Sequence, residues 1–81
     1  MSTIHLIGLG LVPAKRAVAL EVGDVTLWNY GYRYTVLEVW RKTEHFVGVR
    51  SRDERSGKVY EQRFRTSRLV GIDPTTNQED N

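Results

Sequence analysis

Two stretches of eight residues, "HFVGVRSR" at 45–52 and "KVYEQRFR" at 58–65, alternate apolar and charged side chains on either side of the loop "DERSG". Alternation with period two is a strand pattern, and Gly57 can take the left-handed conformation that closes longer hairpins. A chain built around this hairpin turns Val47, Val49, Tyr60 and Phe64 inward and leaves Arg50, Arg52, Glu61, Arg63 and Arg65 outside. Register across the loop sets Arg50 opposite Glu61, which neutralises one arginine, and sets Gly48 opposite Arg63.

The surrounding chain follows the same style. Gly23 and Asp24 in "VGDVTLW" make a turn before Val25, Leu27 and Trp28, whose branched and aromatic side chains suit a strand. Asn29 and Gly31 tolerate positive φ, so the chain can reverse at "NYG" and set out again as "YRYTVLEVW". Strict alternation along that strand gives two mixed faces: Tyr34 and Val36 want to be inside in its first half, Val39 in its second. A β-bulge near Leu37 resolves the conflict and puts Tyr34, Val36 and Val39 in the core. Lys42, Thr43 and Glu44 form a polar turn into the third strand.

At the ends, "RLVGI" reads as a closing strand or as one 3₁₀ turn followed by a strand. "TIHLIGLGLV" reads as a strand whose glycines mark bends or close approaches. "KRAVAL" at 15–20 fits helix or strand. Five or six short strands without an amphipathic helix of useful length predict a small antiparallel barrel or sandwich over residues 1–72. The tail at 73–81, "DPTTNQEDN", has no apolar periodicity and is expected to be disordered.

With these segments in place, "LEVGDVTLW…GYRYTVLEVW…FVGVRS…SGKVYEQRF…RLVGI" resembles the small SH3-like barrels, the group that includes Tudor and KOW modules. The resemblance covers residues 20–72 and is carried by the "VGD" turn and by "YTVLEV" at 34–39. It implies an all-β, antiparallel SH3-like barrel that works as a binding module. The phrase "WNYGYRY" is similar to small accessory proteins of actinobacteriophages, which implies a host protein as a possible partner.

Size and composition narrow the chemistry. A domain of 81 residues buries only roughly 60% of its unfolded surface, leaving little material for an enclosed active site. There is no cysteine, hence no thiolate nucleophile, disulfide or cysteine-ligated zinc. His5 and His45 are far apart in sequence, no serine sits in a nucleophile elbow, and Asp24, Glu38 and Glu44 fall at turn or exposed strand positions. The "GLG" at 8–10 fails as a dinucleotide fingerprint because Pro13 stands where the third glycine belongs. No catalytic residue, metal site or cofactor is therefore expected. The apolar run at 4–12 is about half of the ~20 residues a membrane-spanning helix needs. It also makes a poor signal peptide, with no Lys or Arg before it and His5 within it, so the cytoplasm is the expected compartment.

Charge favours an anionic partner. All twelve Lys and Arg residues lie between Lys15 and Arg68, against seven of the ten acids, so that stretch carries +5; Asp73, Glu79 and Asp80 bring the chain to +2. The acidic tail either improves solubility or folds back to compete with an anionic ligand. Arg50, Arg52, Arg63, Arg65 and Arg68, with Arg55 and Lys58 at the hairpin tip, can neutralise phosphates. Tyr30, Tyr32 and Trp40 can serve as stacking platforms beside them. The same arginines also suit solubility and edge protection, and two of the four rings Trp28, Tyr30, Tyr32 and Trp40 are expected to pack in the fold.

The leading expectation is a non-enzymatic module that binds nucleic acid electrostatically. The alternative is a protein-interaction module anchored by Tyr30, Tyr32 and Trp40, docking on a host protein or on itself. The N-terminal strand either completes the barrel or exchanges with a second copy to make a homodimer.

Overall fold

The computed structural model describes residues 2–41 and 43–74. Among the described residues seven strands form one antiparallel sheet: β1 (Ser2–Leu6), β2 (Gly10–Arg16), β3 (Val25–Leu27), β4 (Arg33–Arg41), β5 (Phe46–Asp53), β6 (Val59–Arg65) and β7 (Leu69–Ile72). Their order is β1-β2-β7-β3-β4-β5-β6, so β1 and β6 are the edges and the sheet is not closed on itself. The only helical segments among the described residues are three-residue 3₁₀ turns. The all-β, antiparallel expectation therefore holds, with several corrections.

The first correction is the strand count, seven in place of five or six. The N-terminal segment is not one bent strand but the hairpin β1–β2, because Gly8 and Gly10 adopt φ of 86° and 81° and reverse the chain. Glycines expected to mark bends or close approaches within a strand instead supply the left-handed residues of a turn. β2 continues through Arg16 and gives way to a 3₁₀ turn at Ala17–Ala19, which settles the "KRAVAL" alternatives as strand and then turn. β2 pairs with β7, and β7 pairs in turn with β3.

The second correction concerns Asp73, assigned above to the tail. It is buried, its N–H donates to Val25 O, and its carboxylate lies 2.6 Å from Arg33 Nη2. Residues 75–81 of the expected tail lie outside the described residues, as does Lys42 of the polar turn.

The central hairpin follows the alternation. Arg50 stands opposite Glu61 and Gly48 opposite Arg63, as the loop register predicts, and Gly57 takes φ of 78°. On β4 the register shifts between Val36 and Glu38, which is the bulge expected near Leu37. Val47, Val49 and Phe64 are buried with Val36, Val70, Ile72, Leu20 and Ala17, and Trp28 and Val39 pack against them. The 3₁₀ turn that carries Ala17 is tied to the end of β6 and the turn after it: Ala17 N–H donates to Arg68 O and Val18 N–H to Thr66 O. Tyr34 and Tyr60, both expected in the core, are instead only half-buried and 42% exposed. They meet edge to face, ring centroids 6.1 Å apart, near the hairpin-loop end of the sheet, beyond the buried core.

Asp24 also departs from expectation. It is 3% exposed, not an open turn residue. Its Oδ2 lies 2.7 Å from Lys15 Nζ and accepts from Glu21 N–H at 2.9 Å, so the carboxylate joins β2 to the turn that precedes β3. A buried charge requires such partners.

Candidate functional site

Antiparallel partners share a face, so the register orders the outer surface of β4, β5 and β6 into rows. Trp40, Gly48 and Arg63 make one row, Glu38, Arg50 and Glu61 the next, and Thr35, Arg52 and Val59 a third. Phe46 and Arg65 lie on the other side of the Trp40 row. Arg50, Arg52, Arg63 and Arg65 are all exposed on this face, as expected.

They are not equivalent. Arg50 sits between two carboxylates, 3.4 Å from Glu38 and 3.6 Å from Glu61, so its charge is spent within the row. Arg63 and Arg65 instead lie over the ring of Phe46, with guanidinium carbons 5.0 and 5.4 Å from its centroid. Cations held over an aromatic face keep their charge available to an outside anion. Arg52 has no acid opposite it on either neighbouring strand.

Trp40 belongs to this cluster. A Cβ placed on Gly48 would stand 2.5 Å from Trp40 Nε1, so the indole occupies the room that the missing side chain leaves. The ring is half-buried and lines an open hollow of about 340 Å³ with Glu61, Gln62 and Arg63. Phe46 and Gly48 were not among the predicted site residues. The signal for Gly48 was its place opposite Arg63, and that for Phe46 its place opposite Arg65, once rings were counted with the arginines row by row.

Three predicted residues lie elsewhere. Arg68 is over Trp28 and Phe64, at 5.5 and 5.4 Å from their centroids, and those two rings stack at 5.8 Å against the core. It therefore caps the inner side of the sheet while Arg63 and Arg65 project from the outer side. Trp28 is accordingly a packing residue, with its indole N–H donating to Thr26 Oγ1 at 3.0 Å.

Tyr32 lies eight residues from Trp40, roughly 26 Å along an extended strand at about 3.3 Å per residue. Its ring carries the Arg55 guanidinium at 4.8 Å. Nearby, Arg33 is engaged by Asp73 and by Glu54 at 3.8 Å, so the hollow lined by Tyr32, Arg33, Asp53, Glu54 and Arg55 is internally compensated. The Arg55 N–H, 2.8 Å from Asp53 Oδ1, holds that carboxyl below its ordinary value of 3.8, and Ser56 acts in the same direction. Burial raises the Tyr34 phenol, with Asp53, Tyr60 and Tyr32 adding to the effect.

Tyr30, 68% exposed, is at the turn before β4 and not on the outer rows of β4, β5 and β6. It takes φ of 66° itself, where positive φ was expected at Asn29 and Gly31; Gly31 does adopt it, at 86°, and Asn29 does not. The reason is tertiary: Tyr30 N–H donates to Ile7 O at 2.7 Å, and Asn29 Oδ1 is occupied as acceptor for Ile7 N–H at 2.9 Å. The β3–β4 turn is thereby clamped to the tip of the β1–β2 hairpin, beside the exposed side chains of Ile7, Leu9 and Leu11.

Among the described residues no three His, Asp or Glu side chains converge as a metal site requires, and no helix is long and apolar enough to cross a membrane. His45 and Glu44, 3.7 Å apart, are both solvent-exposed at the start of β5. No protein-family model matches the chain, and neither a curated protein nor a solved structure matches it.

Proposed function

We propose that this chain is a non-enzymatic binding module of SH3-like architecture that holds nucleic acid electrostatically on the outer face of β4, β5 and β6. The architectural part is supported by the unit β3-β4-β5-β6, whose following strand β7 returns to pair with β3. The functional part rests on one observation: Arg63 and Arg65 flank Phe46 beside Trp40, giving cations and rings in one patch. Arg52 extends the positive charge along β5, while Arg50 serves the sheet through Glu38 and Glu61. Phosphates bound here release counterions, so affinity falls as salt rises. The test is fluorescence anisotropy of a labelled oligonucleotide with the wild-type chain and with Arg63→Glu/Arg65→Glu. The wild type binds and the double variant does not; equal binding by both refutes the assignment of the face. A cytoplasmic location accords with this role.

A second reading is favoured by a different surface. Ile7, Leu9, Leu11 and Tyr30 are all exposed at or beside the tip of the β1–β2 hairpin, and residues 2–14 contain no Lys, Arg, Asp or Glu. Uncharged apolar surface of this kind suits a protein partner. That partner is a host protein, if the chain acts as a phage-type accessory factor, or a second copy paired along the β1 edge. Light scattering of the wild type and of Leu11→Asp distinguishes self-association from a monomer, and capture that survives nuclease and high salt marks a foreign protein partner.

A further inference from the structure

We propose that the hollow beside Trp40 receives one unpaired nucleobase, which makes the outer face selective for single-stranded over double-stranded nucleic acid. The inference rests on the nucleic-acid reading above and adds the form of the ligand.

Its geometry starts at Gly48. Because position 48 has no side chain, the indole of Trp40 settles onto β5 and lines the hollow instead of standing clear of the sheet. The opposite part of the lining is β6, with Glu61, Gln62 and Arg63. Arg63 is itself held over Phe46, so its planar guanidinium is positioned before any ligand arrives. Glu61 is held in turn by Arg50 at 3.6 Å.

The chemistry of this lining selects a base over a phosphate. A phosphate only accepts hydrogen bonds, and the Glu61 carboxylate repels it. A nucleobase has a π-face for the indole and an edge that both donates and accepts, which Glu61 and Arg63 can satisfy together, while the Gln62 side chain follows Val49 to the inner side of the sheet. The phosphates on either side of that base fall to Arg63, Arg65 and Arg52. In a duplex the bases are stacked and paired, so neither face nor edge can enter the hollow. The electrostatic contacts then remain but the stacking contact is lost.

The experiment compares three polyanions on the full chain at one salt concentration: oligothymidylate, a DNA hairpin duplex of equal length, and inorganic polyphosphate. An oligouridylate arm tells RNA from DNA. The single strand is expected to bind about tenfold tighter than the duplex, in line with the worth of one stacked base. It also quenches Trp40 emission, read in Trp28→Phe, where Trp40 is the sole indole; polyphosphate binds without quenching. Trp40→Leu is expected to lower single-strand affinity to the level of the duplex while leaving duplex affinity in place. Should either tryptophan variant fail to fold, the wild-type ratio of single strand to duplex decides alone. Equal affinity for all three polyanions overturns the base-slot inference and leaves electrostatic binding standing. Absence of binding to all of them overturns both.

Discussion

The indole of Trp40 on β4 occupies the space that a side chain at Gly48 on β5 would need, with Nε1 2.5 Å from the position of a Cβ. The obstructing atoms belong to a rigid ring, so alanine at position 48 can only be accommodated if the ring leaves. Gly48→Ala is therefore expected to destabilise the fold by about 1–3 kcal/mol, the usual cost of overpacking. Trp40 emission shifts to the red at the same time. Urea melts with fluorescence detection check both; an unchanged spectrum would mean that the ring does not rest on Gly48.

The inner side of the sheet predicts a different pattern. Phe64 is 4% exposed and stacks on Trp28, and Arg68 covers both rings from outside. Phe64→Ala is expected to cost about 3–5 kcal/mol, a large share of the stability of a domain this small. Arg68→Ala costs only about 0.5–1 kcal/mol, the worth of an exposed cation over a ring. It should leave oligonucleotide affinity nearly unchanged, since Arg68 does not share the outer face. Thermal melts and anisotropy on the two variants separate packing from binding.

Asp24 tests the buried ion pair. Removing its carboxylate strands the Glu21 N–H and the Lys15 ammonium, which sits at the end of a 30% exposed side chain. Asp24→Ala is expected to lose on the order of 3 kcal/mol, comparable to breaking other buried pairs. Lys15→Met, which keeps the apolar stem, should lose less than Lys15→Ala. Chemical denaturation of the three variants gives the comparison.

A pH dependence follows from Asp53. Its folded-state carboxyl lies below the ordinary 3.8 because the Arg55 N–H, and then Ser56, bond to the ionised form. A lowered carboxylate pKa contributes stability that is present above the unfolded value and is lost as pH falls through the folded one. Denaturation midpoints of the wild type should decline on acidification through this window more steeply than those of Asp53→Asn, which keeps the acceptor but does not titrate. Parallel curves for the two proteins would remove Asp53 from the account.

How far the sequence discloses this arrangement depends on whether the determining contacts are local. Alternation and loop length define a hairpin, so the pairs Arg50 with Glu61 and Gly48 with Arg63 and the bulge between Val36 and Glu38 were legible. Gly8 and Gly10 were not, because one residue type serves both bends and reversals and only pairing distinguishes them. Tyr30 was hidden for a stronger reason. Asn29 is the better intrinsic host of positive φ, but its side chain is used by Ile7, twenty-two residues away. The division of the arginines was also long-range: Arg65 and Arg68 are three residues apart, yet the turn between β6 and β7 sends them to opposite sides of the sheet.

The central claim is that Arg63 and Arg65, and not Arg50, present charge to a nucleic acid. The most direct measurement is the slope of log affinity against log salt for a single-stranded oligonucleotide with the wild type, Arg63→Ala and Arg50→Ala. A steep negative slope is expected for the wild type, reduced by about 0.7 when the Arg63 phosphate contact is removed and nearly unchanged for Arg50→Ala. A slope near zero for the wild type, or equal reductions for both variants, would contradict this claim.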